Sequence, residues 1–204
     1  MSTPISLRTP STLSSSESSS ATIPPPTLQW LSGAWHVTHS TLPMWNKNQN
    51  VVITYTPVPD TFPTQIDDVV TYQSVGSTKT KSVHGLDKPF DVHNTTPEGK
   101  KEDAEGLASM AYAWRGKGWL MIASSKWEIL GWGEEAGTGN SWVVTYFAKT
   151  LFTPAGVDFY SRKGMLSEEV VQGIQEAMRK MGGDVEKLAG EVFEVVMTGE
   201  SKIV

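Results

Sequence analysis

The chain contains no cysteine. Disulfide bonds, thiolate catalysis and cysteine-based zinc sites are therefore excluded. Small secreted domains usually depend on disulfides, so this absence favours a reducing compartment. The N-terminal segment lacks the apolar run of a signal peptide, and no stretch approaches the ~18 apolar residues of a membrane span. We therefore expect a cytoplasmic protein with no membrane insertion.

Positive charge and the common catalytic motifs are scarce as well. The net charge is −5, and no cluster of basic residues interleaved with aromatics is present. The electrostatic field of a negatively charged protein repels a phosphate backbone, so we expect no nucleic-acid partner. The chain has no P-loop, G-x-S-x-G or G-x-G-x-x-G motif, and its four histidines are not spaced as metal ligands. We expect neither a cofactor nor a metal, and the oligomeric state stays open.

Residues 1–27 are rich in Ser, Thr and Pro and end in three prolines. They cannot bury enough apolar surface to offset the entropy of ordering, so the composition predicts a disordered tail. A transit peptide is the alternative, although the segment has a single arginine and no amphipathic pattern. Residues 28–204 are predicted to form one folded domain.

Short alternating segments separated by turns fill residues 28–161, and no helical stretch long enough for a β-α-β crossover interrupts them. The segments are WHVTHS, NVVITYT, DVVTYQS, KTKSVHGL, ASMAYAW, WLMIAS, KWEILGW, SWVVTYFAKT and VDFYSRK. Such a run is typical of an all-β sandwich or an antiparallel barrel.

One helix is predicted after the strands, in LSEEVVQGIQEAMRKMGGD. Ser167 is a natural N-cap, and the two glutamates that follow it suit the positive end of the helix dipole. Apolar residues recur at three- and four-residue steps, which gives a single apolar stripe, and Gly182 ends the helix. The last segment, EVFEVVMTG, reads as an extra strand beside this helix.

Two segments at opposite ends of the folded region together resemble the lipocalins, in particular the bacterial and apolipoprotein-D types and intracellular fungal lipocalin-like proteins. Gly33 and Trp35 stand in the place of the G-x-W motif, and FYSRKGMLSEEVVQGI resembles the last strand, its arginine and the helix. The resemblance implies an eight- or nine-stranded antiparallel up-and-down barrel with one C-terminal amphipathic helix packed outside. It also implies that Arg162 stacks over Trp35 and closes one end.

In such a barrel alternate residues of each strand face inward, and we expect these residues to line a cavity for one small ligand. We expect His84, Tyr112 and His39 to supply acid, base or hydrogen-bond donors, although wall or core roles are the simpler alternative. Trp45 lies in the first loop, as a lid or as a plain anchor. The remaining wall residues predicted to touch a ligand are Tyr55, Tyr72, Met110, Trp114, Trp142 and Tyr146.

Two functions follow from such a cavity, which suits a hydrophobic, partly oxygenated small molecule. The first is a cofactor-free isomerase or cyclase of fungal secondary metabolism, which folds a reactive substrate into a productive shape. The second is a non-catalytic intracellular lipocalin that carries or sequesters a hydrophobic ligand. A stress-related lipocalin at a membrane surface is a weaker third hypothesis, because no lipidation motif or basic face is visible.

Overall fold

The computed structural model describes residues 4–13, 22–90, 106–118 and 121–198. The helices are α1 (Leu28–Leu31), α2 (Glu168–Met181) and α3 (Gly183–Glu191), with a 3₁₀ turn at Pro43–Trp45. The strands are β1 (Gly33–Ser40), β2 (Asn48–Pro57), β3 (Ile66–Ser74), β4 (Thr80–Pro89), β5 (Ala111–Gly116), β6 (Ser124–Glu135), β7 (Asn140–Phe147), β8 (Gly156–Ser161) and β9 (Phe193–Glu194).

Strands β1 to β8 form a closed antiparallel barrel. Each strand from β2 to β7 pairs with the next in the chain, and β1 pairs with both β2 and β8. Closure leaves no free edge among these eight strands, and the short β9 pairs with β1 outside the ring. The predicted all-β barrel is confirmed, including the extra strand after the helix.

The closed end of the barrel is the plug that the two end motifs predict. Trp35 is fully buried, and the Arg162 guanidinium lies 3.6 Å from the centre of its ring. That guanidinium also donates to the carbonyls of Ala34 at 2.8 Å and Ser32 at 2.7 Å. Gly33 has φ +93°, and a Cβ there would lie 3.3 Å from Arg162 Nη1, so glycine suits this close approach. Since β1 begins at this plug, its other end marks the open end of the barrel.

The predicted helix is present with the predicted cap, and a second helix follows it. The Ser167 side chain accepts from the Val170 amide, and α2 ends at Gly182, where α3 begins. Ile174 and Met178 of α2 are buried in a cluster with the outer faces of β7 and β8. In the described part of the chain, neither helix nor any other is long and apolar enough to cross a membrane.

Residues 4–13 differ from the disordered tail predicted for residues 1–27, because they pack along the outside of β6. Arg8 is buried, and its Nη2 lies 2.6 Å from Glu128 Oε2, while its amide donates to the Leu130 carbonyl at 2.8 Å. Leu7 beside it joins the cluster under the helices. One arginine and one leucine anchor this segment, and a composition average over the whole tail conceals both.

Candidate functional site

The barrel interior holds six of the predicted site residues. They belong to the same apolar cluster as Trp35 or pack against it, and they come from five different strands and loops. The six are Trp45, Tyr55, Tyr72, Met110, Tyr112 and Trp114. All of them except Trp45 were predicted to face inward, and their packing in or against this cluster agrees with that orientation. Whether any of them touches a ligand stays a prediction.

His84 does not face the interior. It pairs with Val69 on β3 and its side chain is exposed on the outer surface. The inward positions of β4 are Val83, Gly85 and Asp87, one residue out of step with the predicted parity. A glycine in the middle of the strand hides the alternation, since it contributes no side chain to the pattern. The predicted orientation of His84 is wrong.

His39 also lies outside, for a different reason. The pairing of β1 with β8 runs from Val37 opposite Tyr160 to His39 opposite Phe159, and the ladder shifts between these two pairs. A β-bulge of this kind places one extra residue in the strand and reverses the parity beyond it. The His39 ring consequently packs near the Phe159 ring, with centroids 5.9 Å apart, and the inward parity predicted for it is wrong.

Trp142 and Tyr146 are buried on the outer face of β7, beneath α2 and α3. Val143 and Thr145 occupy the inward positions instead, opposite Tyr160 and Asp158 of β8. Because helices cover the outer face, β7 is buried on both sides and its sequence carries no readable alternation. The inward orientation predicted for Trp142 and Tyr146 is therefore wrong.

Three aspartates that the sequence reasoning missed lie in the interior, each beside a tryptophan. The Trp127 indole donates to Asp87 Oδ1 at 2.9 Å. The Trp45 indole donates to Asp158 Oδ2 at 3.3 Å, and the Trp114 indole donates to the Asp68 carboxyl. The three carboxyls are between 0 and 6% exposed. Each is thus held by a donor that is neutral, so its burial is not compensated by a positive partner.

Asp68 and Asp87 form a pair on the inner face of adjacent strands. Asp68 pairs with Gly85, two residues before Asp87, so both carboxyls project from one face of the sheet. Burial raises the pKa of Asp68 to about 7. Burial and then the neighbouring Asp68 charge raise the pKa of Asp87 well above its ordinary value. Because each carboxyl opposes ionisation of the other, the pair retains a proton more readily than two separate carboxyls would.

One oxygen of each carboxyl in this pair has no hydrogen-bond partner among the described residues. These atoms are Asp68 Oδ1 and Asp87 Oδ2, and the buried Tyr160 hydroxyl also makes no hydrogen bond of ordinary geometry. Buried polar atoms are nearly always satisfied in folded proteins. Three such atoms inside one barrel indicate a place where a polar group of a ligand, or water, is accommodated.

Gly85 makes room for one of the indoles. A Cβ at this position would lie 2.0 Å from Trp114 Nε1, so only a residue without a side chain lets the indole lie flat across β4. The ring thereby reaches Asp68 on the next strand. Glycine at position 85 is accordingly part of the site's construction.

Asp158 forms a second polar centre near the open end. Its Oδ1 lies 2.5 Å from Ser40 Oγ, and burial raises the pKa of this carboxyl to about 7. The Trp45 indole that contacts it belongs to the loop between β1 and β2 and also meets the Tyr72 ring edge-on at 6.0 Å. The structure thus places Trp45 as a buried anchor across part of the barrel mouth.

Aromatic rings surround the carboxyl pair. The Trp127 ring stacks between Tyr55, at 5.5 Å, and Tyr112, at 4.7 Å. Toward the mouth, Val70, Tyr72 and Trp114 are only half buried. The site therefore combines an enclosed aromatic and acidic floor with an approach from the β3–β5 side.

No protein-family model and no curated protein sequence matches this chain. Among solved structures, lobster apocrustacyanin A1 superposes with a TM-score of 0.52 at 14% identity, covering 82% of this chain and 78% of that one. The siderocalin Ex-FABP superposes with a TM-score of 0.46 at 12% identity, covering 83% of this chain and 95% of that one. The first likeness, together with the closed eight-stranded barrel, its Trp–Arg plug and its external helix, shows that this chain has the lipocalin fold.

Proposed function

We propose that the protein binds a hydrophobic, partly oxygenated small molecule in its barrel and converts it as a cofactor-free isomerase or cyclase. The observation that carries this proposal is the Asp68–Asp87 pair, in which two adjacent buried carboxyls each leave one oxygen without a hydrogen bond among the described residues. Because two neighbouring buried charges repel each other, the two carboxyls do not ionise together. Environments that push two neighbouring pKa values apart assign one group as the acid and the other as the base.

The proposed step is a proton transfer on each side of the substrate. Asp87 donates a proton from its unpartnered Oδ2 to a substrate carbon or oxygen atom, and Asp68 accepts a proton from another substrate atom on its Oδ1. The substrate gains one proton and loses one, so the product is an isomer and no oxidant or reductant is consumed. The proton then returns from Asp68 to Asp87 to reset the pair.

The aromatic stack supports the same chemistry. Positive charge that develops on a protonated substrate is stabilised by the faces of indole and phenol rings, which Trp127, Tyr55 and Tyr112 provide beside the pair. Exclusion of water protects the intermediate from side reactions and favours a folded, reactive substrate conformer. In this proposal Tyr112 lines the site, and the aspartates rather than the histidines supply the acid and the base.

The biological setting of this proposal comes from the sequence resemblance. A cytoplasmic role in fungal secondary metabolism, as in intracellular lipocalin-like proteins of that kind, agrees with the cysteine-free composition.

A non-catalytic carrier is the second candidate, and the indole contacts favour it. Hydrogen bonds from Trp127 and Trp114 hold both carboxyls in place, as they would if the acids only recognised a donor group of a ligand. Under this alternative the barrel would bind one molecule and release it unchanged.

The test compares metabolites of a strain lacking the gene with those of its parent, followed by incubation of the accumulated compound with purified protein. Conversion to an isomer without added cofactor is expected. Asp87→Asn should reduce turnover by about a hundredfold or more, because an amide cannot give up the proton, while binding of the compound is retained. Asp60→Asn, an exposed carboxylate in a turn, is the matched control and should keep full activity.

The pH profile gives an independent readout. Turnover should increase as pH rises through about 7, because Asp68 must be ionised to act as base while Asp87 stays protonated. Stoichiometric binding with no product would establish the carrier instead. Full activity of a folded Asp87→Asn protein would remove this carboxyl from the mechanism.

A further inference from the structure

Four loops meet at the open end of the barrel. Because β1 starts at the Trp35 plug and successive strands run antiparallel, each odd-numbered strand from β1 to β7 ends at the open end. The described residues of these loops are 41–47, 75–79, 117–118, 121–123 and 148–155. They surround the mouth through which the interior site is approached.

Large apolar side chains project from all four of these loops. Ile122, Leu151 and Phe152 are 93, 90 and 87% exposed, which is extreme for side chains of this size. The exposed apolar residues of the rim are Met44, Val75, Met121, Ile122, Leu151 and Phe152. Large apolar side chains that stand this exposed on several loops at one end of a barrel mark a site of interaction rather than ordinary solvent-facing surface.

The charges of the rim have one sign. Each of the four loops contains one lysine and no Asp or Glu, although the whole chain has a net charge of −5. Lys47, Lys79 and Lys149 are exposed, and Lys117 is paired with Asp67 on β3. The lysines thus alternate with the apolar side chains around the mouth, which forms a basic and apolar rim on an acidic protein.

We infer that this rim docks the open end of the barrel onto an anionic lipid bilayer. The apolar loop tips enter the boundary between headgroups and acyl chains, and the lysine ammonium groups contact lipid phosphates and carboxylates. Each lysine near such a surface contributes roughly fivefold to the partition coefficient. An acidic protein surface lacks the acyl layer that Ile122, Leu151 and Phe152 would enter, so the bilayer accounts for both parts of the rim. Docking in this orientation also brings the mouth against the membrane.

The test is co-sedimentation of the full chain, without any barrel ligand, with vesicles of phosphatidylcholine alone or mixed with phosphatidylserine. Binding is expected to the mixed vesicles, to weaken with salt, and to be much weaker on phosphatidylcholine alone. Ile122→Glu with Phe152→Glu should weaken it by about tenfold or more, since both side chains are exposed and their replacement leaves the core intact. Phe62→Glu is the matched control, because Phe62 is 77% exposed at the opposite end of the barrel.

A charge-reversal pair, Lys79→Glu with Lys149→Glu, separates the electrostatic part and should weaken binding by about twenty-five-fold or more, because each lysine contributes roughly fivefold and the glutamates are repelled. Absence of binding to the mixed vesicles would overturn the inference, as would equal losses for the rim variant and for Phe62→Glu. Concentration-dependent self-association that the rim variant abolishes, without vesicle binding, would assign the rim to a second copy of the chain instead. Because no ligand is present, these outcomes are independent of the proposed reaction.

Discussion

Replacing Asp158 by Asn should remove one of three contributions, beside those of Asp68 and Asp87, that make the folded protein less stable at neutral than at mildly acidic pH. The Asp158 carboxyl is fully buried, and its two contacts are the Ser40 hydroxyl and the Trp45 indole. An asparagine has the same shape as the protonated acid. Its oxygen accepts from Trp45, and its amide group donates to Ser40, so the change removes the charge and keeps the packing.

The magnitude follows from the raised pKa. In the unfolded chain the carboxyl has its ordinary pKa of 3.8, and in the folded protein burial raises the pKa to about 7. Between these values the folded state binds the proton that the unfolded state has released, so the free energy of unfolding decreases as pH rises, by about 1.4 kcal/mol per pH unit. The loss is absent below pH 4, is complete above pH 7 and amounts to about 4 kcal/mol for Asp158.

Urea unfolding of the wild type and of Asp158→Asn, followed at a series of pH values from 4 to 8, measures this difference. The free energy of unfolding of the variant should decrease less steeply with pH than that of the wild type, and the variant should be the more stable protein at pH 7.5. Asp60→Asn, which removes an exposed carboxylate, should follow the wild-type curve. If Asp158→Asn decreases as steeply as the wild type, burial of this charge is not the source of the pH dependence.

The plug and the N-terminal segment each permit a further test. Arg162→Lys should lower the free energy of unfolding by about 3 kcal/mol, because lysine cannot stack on Trp35 and reach several carbonyls at once. An unchanged midpoint of urea unfolding would refute this prediction. Arg8→Met should cost about 3–5 kcal/mol by leaving the buried Glu128 without its partner, and Arg8→Met with Glu128→Gln should recover most of that loss in the same assay.

The ends of the domain were predictable because local chemistry determines them. The Ser167 cap follows from its own side chain and the residues after it, whereas the pairing of Arg162 with Trp35 came from the resemblance to the lipocalins. Most strands also followed from turns and alternation, but WLMIAS was predicted as a strand of its own, whereas residues 121–123 belong to the loop before β6. These signals depend on a few neighbouring residues, so a single sequence contains them.

The site was not predictable to the same degree, because side-chain orientation depends on events that the alternation does not show. The bulge after Val37 turned His39 outward, and the helices that cover β7 made both of its faces apolar. One available signal was missed. Asp68, Asp87 and Asp158 each interrupt a strand-forming segment at an inward position, where an acid is costly and so deserves a functional interpretation.

The three indole–carboxyl contacts also give the protein an intrinsic optical reporter. Trp45, Trp114 and Trp127 each donate to a group that gains or loses charge, and a charge at hydrogen-bond distance changes the emission of an indole. Fluorescence therefore follows the protonation of the interior directly, without a label. A molecule that enters the barrel and displaces these contacts should change the same tryptophan emission spectrum.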